Sequence, residues 1–378
     1  MNAEQKKYIE GLFEYCLERV DNGIDRYRRG FFPVEGERHL YNVCSNGGWT
    51  NGFWTGMVWL AYEMTGDNKY LEAANDNIES FYGRILNDFD TNHHDMGFEY
   101  SPSCVAAYKI TGSPIAKKAA LMAADALVRR FEPTGKFIKP WGAMDDAVEN
   151  RIIVDTYLNL PLLFWASEVS GDDKYKKIAL AHLNTTVDVL VRRDGRAYHT
   201  YMMDLQCGNP IMPKVDQGYA DDSVWSRGQA WVVYGMALAY GYTHDEHLAA
   251  VQKKATDVFI ERLPSDNVPA WDMVFTDCRT LKDTSAAVIS ACGMLEMNRL
   301  NPSHADCVAW DAKVLDIVKA LGDGHTTKDK GIDGTGILMH CTGSVRHNIG
   351  VNTCLPYGDY YYMETLYRLL NPEWRCYW

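Results

Sequence analysis

Ile152-Ile153-Val154-Asp155-Thr156-Tyr157-Leu158-Asn159-Leu160-Pro161-Leu162-Leu163-Phe164-Trp165, followed by Val169-Ser170-Gly171-Asp172-Asp173-Lys174-Tyr175-Lys176-Lys177-Ile178-Ala179-Leu180, decides the fold. The first segment is apolar on nearly every side, and the second is amphipathic at helical spacing. Between them Gly171 reads as a left-handed helix cap and Asp172 as the start of the next helix. A helix that is apolar all round belongs inside and an amphipathic one outside. The stretch therefore predicts a tight inner/outer helix pair.

The joint recurs as Met64-Thr65-Gly66-Asp67-Asn68-Lys69-Tyr70 and, more loosely, as Ile110-Thr111-Gly112-Ser113-Pro114. Apolar periodicity and capping signals predict about twelve helices, at 5–26, 52–65, 68–86, 97–111, 114–131, 151–170, 173–191, 226–243, 246–263, 283–300, 304–322 and 357–371. Six inner/outer pairs make an all-α (α/α)6 barrel, expected to span 1–378 as one domain because no linker interrupts it. A helical solenoid would need a more regular period. The turns at 65–67 and 170–173 are short, whereas 87–96, 132–150, 192–225 and 324–356 are long and feed the inner helices. Chemistry is expected in these long connections, where polar and aromatic residues concentrate.

A formal charge of −12 without any basic run argues against a nucleic-acid surface. The N-terminal segment lacks an apolar signal core, and no apolar stretch reaches about 18 residues, so no membrane span is expected. The ten cysteines occur singly without a Cys-x-x-Cys pair, which predicts reduced thiols in a cytoplasmic protein and disfavours zinc. Eleven Trp and 23 Tyr exceed ordinary core needs and suit the stacking of sugar rings.

Asp155 is expected inside the most apolar helix, where an unpaired carboxylate is costly and tends to hold a proton. The bland alternative is an ion pair with Arg151, one turn earlier. Asn159, one turn later, extends a polar stripe suited to a lumen wall. His93-His94-Asp95-Met96-Gly97-Phe98 opens another inner helix; Asp95 there reads either as a helix cap or as a second functional carboxylate. A metal site on His-His-Asp lacks a second ligand cluster. Tyr198-His199-Thr200, Gln217 and Trp225-Ser226-Arg227-Gly228-Gln229-Ala230-Trp231 combine flat aromatic faces with a forked cation suited to a carboxylate. Arg227 as an ordinary first-turn residue and Trp231 as core remain the alternatives; Trp59, deep in its helix, reads as core.

With Trp49-Thr50-Asn51-Gly52-Phe53-Trp54, the motif around Asp95, Arg151-Ile152-Ile153-Val154-Asp155 and Gly358-Asp359-Tyr360-Tyr361-Tyr362, these segments resemble the unsaturated glucuronyl hydrolases, family 88 of the glycoside hydrolases, over nearly the whole chain. The resemblance implies an (α/α)6 barrel, no metal or organic cofactor, and a substrate carrying a 4,5-unsaturated uronic acid at its non-reducing end, as in lyase fragments of chondroitin, hyaluronan or heparin. It places Asp155 as general acid/base and Asp95 as the second essential aspartate. His94, Trp49, Trp141, His199, Gln217, Trp225, Arg227 and Trp231 would line the pocket. Ordinary glycosidases work on the anomeric bond with two carboxylates; this family hydrates the C4=C5 double bond instead. Three other readings stay open: a rhamnogalacturonyl hydrolase acting on pectin fragments, a sugar 2-epimerase using histidine pairs, and a carbohydrate-binding α-barrel. Ser344-Val345-Arg346-His347-Asn348-Ile349-Gly350-Val351-Asn352-Thr353-Cys354 lacks a clear version of the Ser/Lys pattern by which some members of the family read sulfate. Oligomeric state is left open.

Overall fold

The computed structural model describes residues 1–332 and 334–378; Asp333, inside the long 324–356 connection, lies outside the described residues. The inner elements are α2 (Asn51–Thr65), α4 (Met96–Tyr100) running through a π-helical turn into α5 (Ala106–Thr111), α7 (Thr156–Asn159) with α8 (Pro161–Ser170), α10 (Ser226–Thr243), α12 (Thr284–Leu300) and α14 (Pro356–Leu370). Nearly every residue of α10, α12 and α14 is buried, as a helix apolar all round requires. The outer elements are α1 (Ala3–Tyr27), α3 (Asn68–Leu86), α6 (Pro114–Val128), α9 (Asp173–Leu190), α11 (Glu246–Glu261) and α13 (Cys307–Gly324). Packing runs α2–α4–α7–α10–α12–α14 and back to α2. That closed ring makes the chain an (α/α)6 barrel and excludes the open solenoid.

The tight joints follow the residues read from sequence. Gly66 and Gly171 take φ of 70° and 74°, a left-handed turn that a side chain would strain. Asp67 and Asp172 then accept from the backbone N–H of Lys69 and Lys174. A further copy at His244-Asp245, between α10 and α11, has the same geometry with His244 at φ 55° in place of glycine. Its residue identity hid it in the sequence.

Inner helices approach closely enough to forbid side chains at their crossings. A Cβ on Gly97 would lie 2.3 Å from the Asn159 Cα, and one on Gly293 would lie 2.6 Å from the Tyr234 Cα. Backbone atoms cannot swing aside, so Gly97→Ala is expected to destabilise the fold by about 1–3 kcal/mol in chemical denaturation. It should also depress activity, because Asn159 is the residue displaced. Wild-type stability in that variant would show that the α4–α7 crossing has slack.

Two expected helices are corrected. The 97–111 helix is continuous in direction but widens into a π turn at Ser101–Val105, where Pro102 lacks the N–H that an α-turn would use. The 151–170 segment is not one helix. Arg151–Ile153 is a strand, β3, paired antiparallel with β4 (Thr200–Met203), which in turn pairs with β5 (Pro210–Lys214). Two hairpins complete the strands, β1 (Phe131–Glu132) with β2 (Phe137–Ile138), and β6 (Cys341–Ser344) with β7 (Ile349–Thr353). All of these strands lie in the long connections, at the end of the barrel where the inner helices begin. Among the described residues no helix is long and apolar enough to cross a membrane.

Candidate active site

Every inner helix starts at the end of the barrel that carries the long connections, and the candidate residues sit at those starts. Trp49 precedes α2, His94 and Asp95 precede α4, Asp155 precedes α7, Trp225 and Arg227 open α10, and Tyr357 opens α14. His199, Gln217 and Trp141 come from the connections. Ring contacts and charge interactions join all ten expected residues into one site. Trp49 stacks on Tyr357 with centroids 5.4 Å apart and packs on Phe98 at 5.6 Å. Phe98 leads to Trp231 at 5.1 Å, His199 sits on Trp225 at 4.3 Å, and His94 faces Trp141 at 6.4 Å. Arg227 lies over the Trp225 and Tyr357 rings, and Gln217 accepts from its Nη2.

Asp155 sits at the turn between β3 and α7, not inside a helix. The expected pair with Arg151 does not form, because a strand points that side chain elsewhere: Arg151 Nη2 lies 2.6 Å from Glu149 and the guanidinium covers Trp141. Pairing of β3 with β4 continues as a bond from Val154 N to the His199 carbonyl at 3.0 Å, which fixes Asp155 beside His199. Asp155 is 8% exposed and its Oδ2 has no partner. Trp231, fully buried, belongs to both core and site; its indole N–H points toward Asp155 without closing an ordinary hydrogen bond. Burial first, and the Asp95 charge second, push Asp155 up to about 7, against the opposing pull of Arg227.

Asp95 goes the other way. Its side chain makes no capping bond to α4, so the simple cap is excluded. His93 Nδ1 is 3.3 Å from Oδ2 and His94 Nε2 is 3.2 Å from Oδ1. Burial works against its charge, but the two histidines and the Asn159 side chain together hold it below the usual carboxylate range. The two histidines contribute unequally. Burial drives His94 down to about 4, so it is neutral near pH 7 and can offer Asp95 only an N–H. His93 is raised to about 9, because Asp95 and Glu99 outweigh its burial, and it supplies the cation.

Asn159 bridges the two halves of the site, its Oδ1 accepting from Phe98 N at 2.9 Å and its Nδ2 donating to the Asp155 carbonyl at 3.3 Å. His199 Nδ1 accepts from the backbone N–H of Asp216 at 3.0 Å, which puts the proton on Nε2; that donor is buried and unpartnered. His199 is driven down to about 3, foremost by burial, so it works as a neutral donor. Buried polar atoms without a protein partner on Asp155, His199 and Trp231 thus gather around Asp155, an unsatisfied set that the hydroxyls of a sugar could complete.

Arg227 departs from expectation. Nη1 donates to Asp283 Oδ2 at 2.6 Å and to the Thr342 carbonyl at 2.7 Å; Nη2 donates to Gln217 and to the Gly343 carbonyl, each at 2.7 Å. Its fork is filled by protein, so it does not present a free bidentate clamp. It carries charge toward Asp155 and ties the β6–β7 hairpin to α10. The hairpin tip holds Arg346 against the Tyr219 carbonyl and His347 3.2 Å from Asp216. Sequence reading missed Phe98 and Tyr357 as lining residues, although both stand in or beside quoted motifs. It also missed Asp283, for which no local signal exists. Among the described residues no group of three or more His, Cys, Asp or Glu side chains is arranged to hold a metal ion.

An (α/α)6 barrel whose inner-helix starts gather two differently tuned carboxylates among aromatic rings is the build of a carbohydrate-active protein, and the family match places it among the glycosidases. The model of Glycosyl Hydrolase Family 88 matches residues 25–302. The chain is 38% identical over 372 residues, 98% of its own length and 93% of the other's, to the unsaturated chondroitin disaccharide hydrolase of Streptococcus pyogenes serotype M1. The crystal structure of unsaturated glucuronyl hydrolase from Streptococcus agalactiae superposes with a TM-score of 0.95 at 37% identity, covering 99% of this chain and 94% of that one. A variant of the S. agalactiae enzyme complexed with dGlcA-GalNAc6S matches with a TM-score of 0.88 at 35% identity, covering 99% and 94%. The chain belongs to Glycosyl Hydrolase Family 88.

Proposed function

We propose that this enzyme releases the 4,5-unsaturated uronic acid from the non-reducing end of lyase-generated disaccharides, of the chondroitin type foremost, by hydrating the C4=C5 bond. The observation that carries it is the opposite tuning of two neighbouring carboxylates: Asp155 buried, unpartnered and raised to about 7, Asp95 held ionised. That pair holds one proton near neutrality, on Asp155.

Protonated Asp155 gives its proton to C4, and the positive charge that develops is shared by C5 and the ring oxygen. Asp95 stabilises that charge and holds the sugar hydroxyls. Water adds to C5, and the Asp155 carboxylate takes the proton that water loses. The C5 hemiketal then opens to a ketone, leaving a C1 hemiacetal that expels the remaining sugar as an alcohol. One water is consumed and Asp155 ends protonated. Trp49 and Trp141, the partly exposed rings of the site, supply stacking faces backed by Tyr357 and Trp225, and His199 Nε2–H and Gln217 supply donors to the sugar.

An anionic sugar reaches this site although the chain carries −12 overall. Distant charge is screened beyond about 8 Å in physiological salt. Locally, the six inner helices all present their N-termini, the positive ends of their dipoles, to the mouth. A single catalytic domain over 1–378 fits the closed ring. All ten cysteines are unpaired, which supports a cytoplasmic setting.

The test is loss of the enol-ether ultraviolet absorbance on incubation with unsaturated disaccharides of chondroitin, hyaluronan, heparin and pectin origin. Turnover of the uronic-acid disaccharides with one uptake of water per bond is expected. Turnover of the pectin fragment alone, or binding without absorbance loss, would overturn the reading.

A further inference from the structure

Behind Asp95 runs a buried chain of charge that the reaction scheme does not use. His93 stands between two carboxylates, with Nδ1 3.3 Å from Asp95 Oδ2 and Nε2 3.4 Å from Glu99 Oε1. Glu99, fully buried, lies against Arg84, whose Nη1 is 2.7 Å from Oε2 and whose Nη2 donates to Oε1 at 2.9 Å. Burial pushes Glu99 up, and Arg84 and His93 oppose that push. Burial prevails and carries Glu99 to about 8, but Arg84 cannot shed its proton and at 1% side-chain exposure its contact at 2.7 Å favours the ionised carboxylate. The same guanidinium donates to the Asp90 carbonyl at 2.6 Å, the Gly48 carbonyl at 3.3 Å and Asn46 Oδ1 at 3.1 Å. One arginine therefore ties the connection bearing Trp49 to the connection bearing Asp95.

We propose that His93 is a positioning residue: an imidazolium charged at neutral pH, braced by the Arg84–Glu99 pair, that holds Asp95 ionised and aimed at the sugar. It touches no substrate and acts only through Asp95, so the inference rests on the hydration reading for its kinetic consequence. The charged form is favoured by the two flanking carboxylates. The Asp95 N–H also lies 3.2 Å from Nδ1 and the Asp90 carbonyl 3.1 Å from Nε2, contacts that a neutral ring protonated on Nε2 would satisfy. Of these contacts only the Asp95 N–H opposes a second proton on the ring, and two carboxylates within 3.4 Å outweigh it, while the Asp90 carbonyl accepts from Nε2 in either form. The groups facing His93 are Asp95, Glu99 and Arg84; those facing Asp95 are His93, His94, Asn159 and Asp155. A charged His94 would pull on Asp95 by its charge more strongly than His93 does, but burial drives His94 down to about 4, so near neutrality the cation beside Asp95 is His93.

Two measurements on the full-length protein test this. The first needs no substrate: nitrogen-detected NMR of the histidine rings across pH, with the His93 signal assigned by its loss in whichever of His93→Gln or His93→Asn folds. Expected is a doubly protonated ring through pH 8; titration near the ordinary 6.5 overturns the proposal. The second is kcat/KM against pH for wild type and His93→Gln. Losing the cation raises the Asp95 pKa, so the acid limb should move to higher pH while the alkaline limb stays. kcat should fall about 10- to 100-fold through misplacement of the carboxylate, with KM changed far less. A uniform loss of rate with an unmoved acid limb would make His93 merely structural and overturn the inference. If wild type turns over no unsaturated disaccharide, the functional reading fails, yet the NMR titration still decides the state of His93. Glu99→Gln, which removes the outer anchor, should lower the His93 titration toward the ordinary value.

Discussion

Asp155→Asn is expected to reduce kcat on an unsaturated disaccharide by about 10²–10⁴-fold, the usual loss when a general acid/base is removed. Asparagine fills the same space between Val154, His199 and Trp231, so KM should change little. It cannot deliver a proton to C4 or take one from water. The same substitution has a predictable effect on stability. In the fold Asp155 titrates at about 7 against 3.8 in the unfolded chain, so the folded protein binds the extra proton between those values. Its stabilising contribution is complete below about pH 4 and is lost as pH rises through 7. The Asn variant lacks that loss and should be more stable than wild type above pH 7, by up to a few kcal/mol. Stability of both proteins is read from denaturant titrations at pH 5 and 8. Near wild-type turnover in the folded variant would remove Asp155 from the chemistry. An unchanged stability difference between the two pH values would remove its raised pKa.

Asp95→Asn should lower kcat/KM by about 10²–10³-fold, since it deletes a preorganised charge beside the developing cation. It should also shift the alkaline limb of the profile. That limb reports loss of the Asp155 proton, and Asp95 is the second cause, after burial, of the raised value. Removing the negative charge leaves burial opposed by Arg227, so Asp155 ionises more easily and the limb moves to lower pH. The profile of residual activity, measured against wild type in the same buffers, checks the sign. A limb that stays in place or moves upward contradicts charge coupling and leaves Asp95 as a group that only positions the sugar.

The helix pairs were legible because their signals are local. Period, Gly66 and Gly171 as caps, and Asp67 and Asp172 as starts all act within one turn of chain. The clustering of aromatic and charged residues in long connections was legible for the same reason. Ile152-Ile153-Val154 was not, since a short apolar run reads equally as helix or strand. Its partner, Tyr201 with its neighbours, lies some fifty residues away, and only that pairing turned Arg151 from Asp155 to Glu149.

Composition and spacing by themselves thus determined the helix pairs of the barrel, Asp155 as a costly carboxylate and the aromatic character of the long connections, while Asp95 as its partner came from the family resemblance of the motifs. Tertiary structure alone decided what each charged group does. His93 and His94 are neighbours of the same type, yet one is driven up to about 9 by two carboxylates and the other down to about 4 by burial. Arg227 looked like a free clamp until Asp283, Thr342, Gly343 and Gln217 filled its fork. The physical reason is common to all three. The state of an ionisable group is set by desolvation and by charges within a few ångströms, and those neighbours arrive from elements the chain brings together only on folding.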